Sequence, residues 1–305
     1  MAHAGPTRAP QREQRQLATI PFIDTHFHLH DLKHPTLRYG WLAADAAHGF
    51  LPDTDPLKSQ RYRIKDYLAE ARFSNVIKAI HVQAAVDTPD PVDETAWLQA
   101  FADQTGMPQG IIAECHLARD DAHAVLDRHM AFANLRGIRN FGEGDYLDDP
   151  AWRRGFAGLG TRNLVCCLDT RIERAAAVVD LARSFPDTVI CIDHCAIPMA
   201  RDAGTFARWR AAMAQMAGAP NTVLKVSGLG MCDPLWTPAS LRPWVLESIA
   251  AFGTARVVFG SNWPVDRMFS SYPDLIAAYD GIIADFTPAE RTALFAGNAE
   301  RIFRI

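Results

Sequence analysis

The sequence predicts an α/β protein in which the 305 residues form a single (β/α)8 TIM barrel. Short apolar segments alternate with amphipathic ones along the chain, and there are eight of each kind. Successive strands begin between 24 and 54 residues apart, so each interval has room for a strand, a helix and two loops. A doubly wound open sheet would normally carry a glycine-rich phosphate turn after its first strand, whereas the first strand here ends in histidines.

The predicted strands are near-continuous apolar runs, which are typical of a parallel sheet covered by helices. In chain order they are Phe22–His28, Val76–Ala84, Gly110–Leu117, Leu135–Asn140, Leu164–Asp169, Thr188–His194, Thr222–Gly228 and Arg256–Asn262. Helical patterns follow them in turn. These are Tyr62–Arg72, Asp93–Thr105, Asp120–Ala133, Pro150–Gly160, Arg171–Ser184, Thr205–Ala217, Pro238–Phe252 and Tyr272–Ile283.

The longest interval follows the first strand and contains Asp31–Gln60, which is rich in proline, glycine and aromatic residues. Long insertions in compact folds are usually functional, and a loop after a barrel strand lies over the face where active sites form. We therefore predict a lid, with a plain surface loop as the alternative. Residues 1–20 are polar and charged, so we expect a flexible arm before a barrel over 21–305.

Composition excludes several classes of function. Apolar residues make up 49% of the chain and charged residues 22%, and the net charge of −4 does not favour binding to nucleic acid or an anionic membrane. No apolar run approaches the roughly 18–20 residues of a membrane span. The six cysteines form no CxxC zinc pattern. We expect reduced core thiols in a cytoplasmic protein.

A His-x-His pair ends the first strand. Side chains two residues apart share one face of a strand, so His26 and His28 should project together. Two adjacent imidazoles suit either a divalent metal site or a polar catalytic floor. The alternative is a pair of solvated histidines on an edge strand.

Polar residues also occur near the ends of other predicted strands. They are His81 and Gln83 on the second strand, Arg139 on the fourth, His194 on the sixth, and Asn262 and Trp263 at the eighth. Barrel active sites are built from groups at the same end of several strands. Any one of them alone could be a core residue, but together they predict one site.

With these residues in place, the chain resembles the amidohydrolase-related family of TIM-barrel hydrolases. Within it, the resemblance is to the branch of sugar-acid lactonases and pyrone-dicarboxylate lactonase. The matching segments cover about residues 21–305 in the family's order: FIDTHFHLHDLKHPTLRYGWL, HVQAAV, LRGIRN, LDTRIERAAAVVDLARSFPDTVICIDHCAIP, LKVSGL, VVFGSNWPVD and GNAERIFRI. The resemblance implies a distorted barrel that hydrolyses a carbonyl compound, commonly a lactone.

The resemblance also assigns roles to residues. His26 and His28 match the strand-one pair, His194 matches the strand-six histidine, and Arg139 matches a position that resembles a carboxylate- or carbonyl-binding one. One departure is Asn262, which replaces the water-activating aspartate of strand eight. An amide cannot act as a general base.

A second departure concerns metal. The bridging lysine or histidine of two-metal members has no counterpart in Leu164–Asp169, so a two-metal site is not expected. Three neutral histidines, His26, His28 and His194, could hold one divalent ion, most readily Zn²⁺. Otherwise no metal is bound, and the histidines and Arg139 polarise the carbonyl and hold the oxyanion. The sequence leaves both arrangements open.

The general base must then lie elsewhere. Asp266, four residues beyond Asn262, is one candidate, and a helix N-cap or a surface salt bridge is its alternative role. His81 and His194 are the other titratable candidates. Lys225, in the middle of the seventh strand, is expected to extend to the far end of the barrel, with a catalytic role as the alternative.

Together these observations predict a hydrolase that opens a small lactone, or a related ester or amide, of an acidic or hydroxylated compound with an activated water. The alternatives are a metal-dependent nonoxidative decarboxylase and a non-catalytic binding barrel. The predicted catalytic residues are His26, His28, Arg139, His194, Asn262 and Asp266. The predicted substrate-binding residues are Trp41, His81, Gln83 and Trp263.

Overall fold

The computed structural model describes residues 20–46, 51, 54–142 and 144–305, so nearly all of the predicted N-terminal arm lies outside the described residues. Eight parallel strands pair in chain order, as the sequence predicts. They are β1 (Phe22–Phe27), β2 (Val76–Val82), β3 (Gly110–Ala113), β4 (Leu135–Ile138), β5 (Val165–Leu168), β6 (Ile190–Ile192), β7 (Thr222–Val226) and β8 (Val257–Phe259). The prediction of a (β/α)8 barrel is confirmed.

Helices connect the strands and form the outer layer. They are α1 (Ile64–Ala71), α2 (Val92–Thr105), α3 (Ala122–His129), α4 (Pro150–Thr161), α5 (Ala175–Ser184), α6 (Ala203–Ala217), α7 (Pro238–Phe252), α8 (Tyr272–Ile282), α9 (Pro288–Thr292) and α10 (Asn298–Phe303). Several begin at a side-chain cap, as when Asp202 accepts a hydrogen bond from the Thr205 N–H at 2.9 Å. Within the described residues, no helix has the length and apolar character to cross a membrane.

The barrel closes between β8 and β1 without a regular ladder. The Asn262 N–H donates to the His26 carbonyl, and the His28 N–H donates to the Trp263 carbonyl, both at 2.7 Å. The buried carboxylate of Asp24 accepts the Ser261 N–H at 2.8 Å and the Ser261 hydroxyl at 2.6 Å. The site residues of the first and last strands lie at this irregular closure. Because the pairing is irregular here, β8 is shorter than predicted.

The inside of the barrel is filled by apolar side chains from every second position of the strands, among them Ile23, Val165 and Val258. Phe303 and its neighbours on α10 pack against this layer. Ile305 also lies there, because its carbonyl accepts a hydrogen bond from the Lys78 ammonium at 2.9 Å. α10 and Ile305 therefore close the end of the barrel at which the strands begin, opposite the carboxyl ends of the strands.

The long insertion after β1 is anchored over the strand ends. His30–Asp31 pairs antiparallel with Arg61–Tyr62 at its base. The described part of the insertion packs its Leu37, Leu42 and Leu57 in one apolar cluster with Met231 and Val265 from two later loops. The Trp41 indole N–H donates to the Ala84 carbonyl at 2.8 Å. The insertion thus covers the barrel mouth, as a lid does.

All six cysteines are buried and free of disulfides, in agreement with the prediction of core thiols.

Candidate active site

A cavity of about 200 Å³ opens at the carboxyl ends of the strands. Its walls are formed by His28, Trp41, Leu51, Gln83, Ala84, Val86, Arg139, Phe141, Asp169, His194, Ile197, Met231, Asn262 and Val265. Six predicted site residues line it: His28, Trp41, Gln83, Arg139, His194 and Asn262. His26 and Asp266 are fully buried beside these residues and do not reach the cavity wall.

The imidazole of His28 presents a free nitrogen to the cavity. Its Nδ1 lies 2.8 Å from the Val82 carbonyl. A carbonyl can only accept, so Nδ1 carries the proton and Nε2 keeps its lone pair. Burial, together with the Arg139 guanidinium, holds the pKa of His28 well below its usual value. His28 is therefore a neutral acceptor at neutral pH.

His194 begins an unusual turn. His194, Cys195, Ala196 and Ile197 all have left-handed backbone angles, with φ between 49° and 55°. This conformation costs free energy in residues other than glycine, and consecutive left-handed residues of this kind are rare. The turn places both His194 and Ile197 in the cavity wall.

The His194 ring is held by its neighbours on the strand-seven side. Its Nδ1 lies 2.9 Å from the Ser227 hydroxyl. A Cβ on Gly228, whose φ is +62°, would lie 2.6 Å from the same nitrogen, so only glycine leaves room for the ring. Burial lowers the pKa of His194 to about 4, which makes it neutral as well.

His26 lies between two cations below these rings. Its ring centroid is 4.9 Å from that of His28 and 4.5 Å from that of His194. Its Nδ1 is 3.4 Å from the Lys225 ammonium, and its Nε2 is 3.5 Å from Nη1 of Arg139. Burial and the charge of Lys225 hold the pKa of His26 well below its usual value.

Lys225 forms an ion pair that the sequence did not predict. Its Nζ lies 2.8 Å from Oδ1 of Asp193, and both side chains are fully buried. Burial alone would lower the pKa of Lys225, but the Asp193 carboxylate outweighs it and holds that pKa above its usual value. The prediction that Lys225 extends to the far end of the barrel is wrong, because its buried ammonium finds its counterion, Asp193, beside His26.

Arg139 spans the floor of the cavity. Its Nη2 donates to the Gln83 carbonyl at 2.8 Å, and its Nη1 is 3.8 Å from Oδ2 of Asp193. The Phe141 ring lies over the guanidinium, with its centroid 4.7 Å from Cζ. These three neighbours hold the guanidinium in place. Nε of Arg139 has no hydrogen-bond partner among the described residues.

Two further polar groups face the cavity. Gln83 is fully buried, and neither its amide oxygen nor its amide nitrogen has a partner in the described part of the chain. Asp169 follows β5 and is the one carboxylate among the described lining residues. Burial raises the pKa of Asp169 to about 6. Sequence reasoning did not identify Asp169, although its place directly after a strand was a usable signal.

Asn262 is oriented by Asp266. The Asn262 amide donates from Nδ2 to Oδ1 of Asp266 at 3.0 Å. Burial raises the pKa of Asp266 to about 7, and its Oδ2 has no partner among the described residues. Because Asp266 lies behind Asn262, it contacts the wall of the cavity and not its contents.

Two predicted substrate contacts lie outside the cavity. Nε2 of His81 accepts the Leu29 N–H at 2.9 Å, and burial lowers the pKa of His81 to about 3. Trp263 is fully buried, and its indole N–H donates to Glu70 at 2.9 Å. Neither side chain lines the cavity, although Nδ1 of His81 has no hydrogen-bond partner among the described residues.

The donor set does not fit a resident divalent metal. Among the described residues, His26, His194 and Asp193 bring potential ligand atoms within 4.8 Å of one another, but His28 is not part of that group. Nδ1 of His26 lies 3.4 Å from the Lys225 ammonium and 3.8 Å from Oδ1 of Asp193, its Nε2 lies 3.5 Å from Nη1 of Arg139, and Lys225 already pairs with Asp193. A divalent ion there would be repelled by two fixed positive charges and would compete with Lys225 for its carboxylate. Of the predicted ligand trio, His26 and His194 belong to this group, and Asp193 takes the place of His28 in it.

Comparison with known proteins gives consistent matches. A family model described as amidohydrolase matches residues 23–305. The chain is 40% identical over 301 residues to an uncharacterized protein of Sinorhizobium fredii, covering 95% of this chain and 100% of that one. It is 28% identical over 228 residues to an L-fucono-1,5-lactonase of Burkholderia ambifaria, covering 70% and 76% of the two chains.

A solved structure agrees in fold. An amidohydrolase from Burkholderia multivorans, crystallised with bound zinc, superposes with a TM-score of 0.80 at 24% identity and covers 93% of this chain and 99% of its own. A divalent metal therefore occurs among proteins with this fold.

Proposed function

The chain belongs to the amidohydrolase family of hydrolytic enzymes, and from this premise we propose that it opens a small lactone by attack of water on the ring carbonyl. One observation carries the proposal. A guanidinium, two neutral imidazoles and a carboxylate converge on one cavity at the barrel mouth, from Arg139, His28, His194 and Asp169. Hydrolysis of an ester needs these three kinds of group: a donor for the oxyanion, acceptors that orient water, and a base.

Arg139 supplies the donor. The lactone carbonyl accepts a hydrogen bond from the guanidinium, which is held in place by Gln83 and Asp193. Negative charge develops on that oxygen as water attacks, and a fixed cation in a site with little water stabilises it. Beneath the floor, the Lys225 ammonium contacts His26, which in turn contacts Arg139, and the Asp193 carboxylate neutralises part of the Lys225 charge.

His28, His194 and Asn262 orient the attacking water. The Nε2 lone pair of His28 accepts a hydrogen bond from it, because Nδ1 is already bound to Val82. Water has two protons and Asp169 takes one, so His194 and the amide oxygen of Asn262, whose amide nitrogen donates to Asp266, are alternatives to His28 as acceptor of the other. Neutral imidazoles with pKa values far below 7 are weak bases, so we give them this positioning role and not proton abstraction.

Asp169 takes the proton. Its pKa, which burial raises to about 6, lies close to the range in which a carboxylate is both deprotonated and basic enough to act at neutral pH. The hydroxide equivalent bonds to the carbonyl carbon, the C–O ring bond breaks, and the protonated Asp169 returns its proton to the ring oxygen. The product is the open hydroxy acid, and atoms and charge balance without a metal.

Decarboxylation is the weaker alternative. The metal-dependent decarboxylase predicted as an alternative needs a firmly bound ion and an acid on strand eight. Strand eight has Asn262, and the surrounding donors do not favour a divalent ion.

Acid release from a panel of five- and six-membered lactones tests the proposal. The purified protein is mixed with each lactone in weakly buffered indicator, and the uncatalysed rate is subtracted. Release of one proton for each ring opened, lost in Arg139→Ala, is the expected result. Release of CO2 from a carboxylated aromatic, with no lactone opened, would favour decarboxylation. No reaction with any compound would contradict catalysis and support a binding barrel.

A further inference from the structure

We propose that the preferred lactone carries an apolar substituent and is not ringed by hydroxyl groups. This inference rests on the proposed function and specifies its substrate. It follows from how polar and apolar side chains are divided between the floor and the walls of the same cavity.

Among the described lining residues, the polar side chains are confined to the floor, where the strands end. They belong to His28, Gln83, Arg139, Asp169, His194 and Asn262. The mechanism uses most of these groups for the carbonyl, the water and the proton. Gln83 is left over, with a free donor and a free acceptor, and it can bind one further hydroxyl or carbonyl group of the substrate. The floor therefore has partners for an ester group and about one more polar group.

The remaining wall is apolar. Its side chains come from the lid and five other loops, and they are Trp41, Leu51, Ala84, Val86, Phe141, Ile197, Met231 and Val265. The indole N–H of Trp41, the one strong donor in this set, already donates to the Ala84 carbonyl. A hydroxyl on the part of the substrate that faces this wall would lose its water and gain no partner.

Two features show that this wall is built and not incidental. Met231 and Val265 pack with the lid residues Leu37, Leu42 and Leu57 in one cluster, so the lid presents an apolar surface as it covers the mouth. Ile197 holds a left-handed backbone with φ 49° and ψ 74°. A β-branched residue is strained there, and the strain brings its side chain to the cavity.

The test compares kcat/KM for δ-valerolactone, its 5-methyl and 5-propyl derivatives, and glucono-1,5-lactone. We expect kcat/KM to rise about three- to fourfold for each added methylene, the factor that burial of one methylene supplies. We expect the propyl lactone to exceed the polyhydroxylated one at least about tenfold. A faster reaction with glucono-1,5-lactone, or no dependence on chain length, would overturn this inference and leave lactone hydrolysis intact. Failure with all four compounds would instead contradict the proposed function.

A matched pair of variants locates the effect. Val265→Thr replaces a methyl group in the wall by a hydroxyl, whereas Val179→Thr makes the same change on α5, away from the cavity and at similar burial. We expect Val265→Thr to lower the ratio of kcat/KM for the propyl lactone over δ-valerolactone by several-fold, and Val179→Thr to leave the ratio unchanged. Equal ratios in both variants would show that the wall does not contact the substituent.

Discussion

Nζ of Lys225 lies 2.8 Å from Oδ1 of Asp193 inside the barrel, and neither side chain reaches solvent. The pair stands directly beneath His26, whose Nδ1 is 3.4 Å from the same ammonium. The Lys225 ammonium places a positive charge beside His26, and the Asp193 carboxylate neutralises part of that charge. The first prediction tests this pair.

Lys225→Met should lower the free energy of unfolding by about 3–5 kcal/mol, because it removes the nearest counterion of the buried Asp193 carboxylate and leaves only Arg139, 3.8 Å away. The double variant Lys225→Met, Asp193→Asn should recover more than half of that loss. Urea denaturation measures both. Lys78→Met, which breaks the partly exposed pair with Glu300, is the control and should cost less than about 1 kcal/mol. Equal losses in the single and double variants would mean that packing and not charge stabilises the pair.

Arg139→Lys should be nearly as damaging as Arg139→Ala, and each should lower kcat/KM by about 10²-fold or more. The single ammonium of a lysine cannot bind the Gln83 carbonyl and lie near the Asp193 carboxylate at the same time, as the planar guanidinium of Arg139 does. Steady-state kinetics on the best lactone gives the answer, and circular dichroism checks folding. A Lys variant with unchanged KM and kcat would show that Arg139 is structural.

Asp169→Asn should lower kcat by at least about 10²-fold and remove the acid limb of the pH profile. Wild-type kcat/KM should rise with pH through about 6, because burial raises the pKa of Asp169 to that value and only the ionised form takes a proton. Asp266→Asn is the matched variant, and it should keep the limb near pH 6. If Asp266→Asn loses the limb while Asp169→Asn keeps it, Asp266 is the displaced base.

Asp266→Asn should stabilise the protein at high pH. Burial raises the pKa of Asp266 from its usual value near 3.8 to about 7, so the folded chain binds this proton more tightly than the unfolded chain. The stabilisation from this proton is fully present below about pH 4 and is lost as the pH rises through 7. An asparagine cannot ionise, so the variant should gain up to about 4 kcal/mol over the wild type at pH 8 and little at pH 4.

Thermal unfolding at the two pH values measures this difference. Asp103→Asn, on the exposed side of α2, serves as the control. A pH-independent difference between Asp266→Asn and the wild type would contradict the assigned pKa.

The fold and much of the site could be predicted because they depend on local pattern. Periodicity identified all eight strands, and the ends of parallel strands meet on one face of a barrel. That rule brought His28, Arg139, His194 and Asn262 to one cavity.

The remaining features depend on contacts distant in sequence. The alternation of side chains along β7 places Lys225 inside the barrel. The direction in which its side chain extends depends on the position of Asp193, with which it pairs. His81 shares a strand face with Gln83, yet its side chain does not line the cavity and its Nε2 accepts the Leu29 N–H. The strained turn after Asp193 could not be predicted from the sequence. Its four left-handed residues include no glycine, and residue propensities do not favour this conformation for them.

The central claim is that fixed cations of the chain, and not a metal ion, activate a lactone in this cavity. Its most direct test is ring opening by protein dialysed against dipicolinate and shown to be metal-free by plasma mass spectrometry. A pH-stat records the turnover before and after addition of one equivalent of Zn²⁺. We expect full turnover in the metal-free protein and no increase with zinc. Turnover that is absent without metal and restored by one equivalent of zinc would contradict the claim.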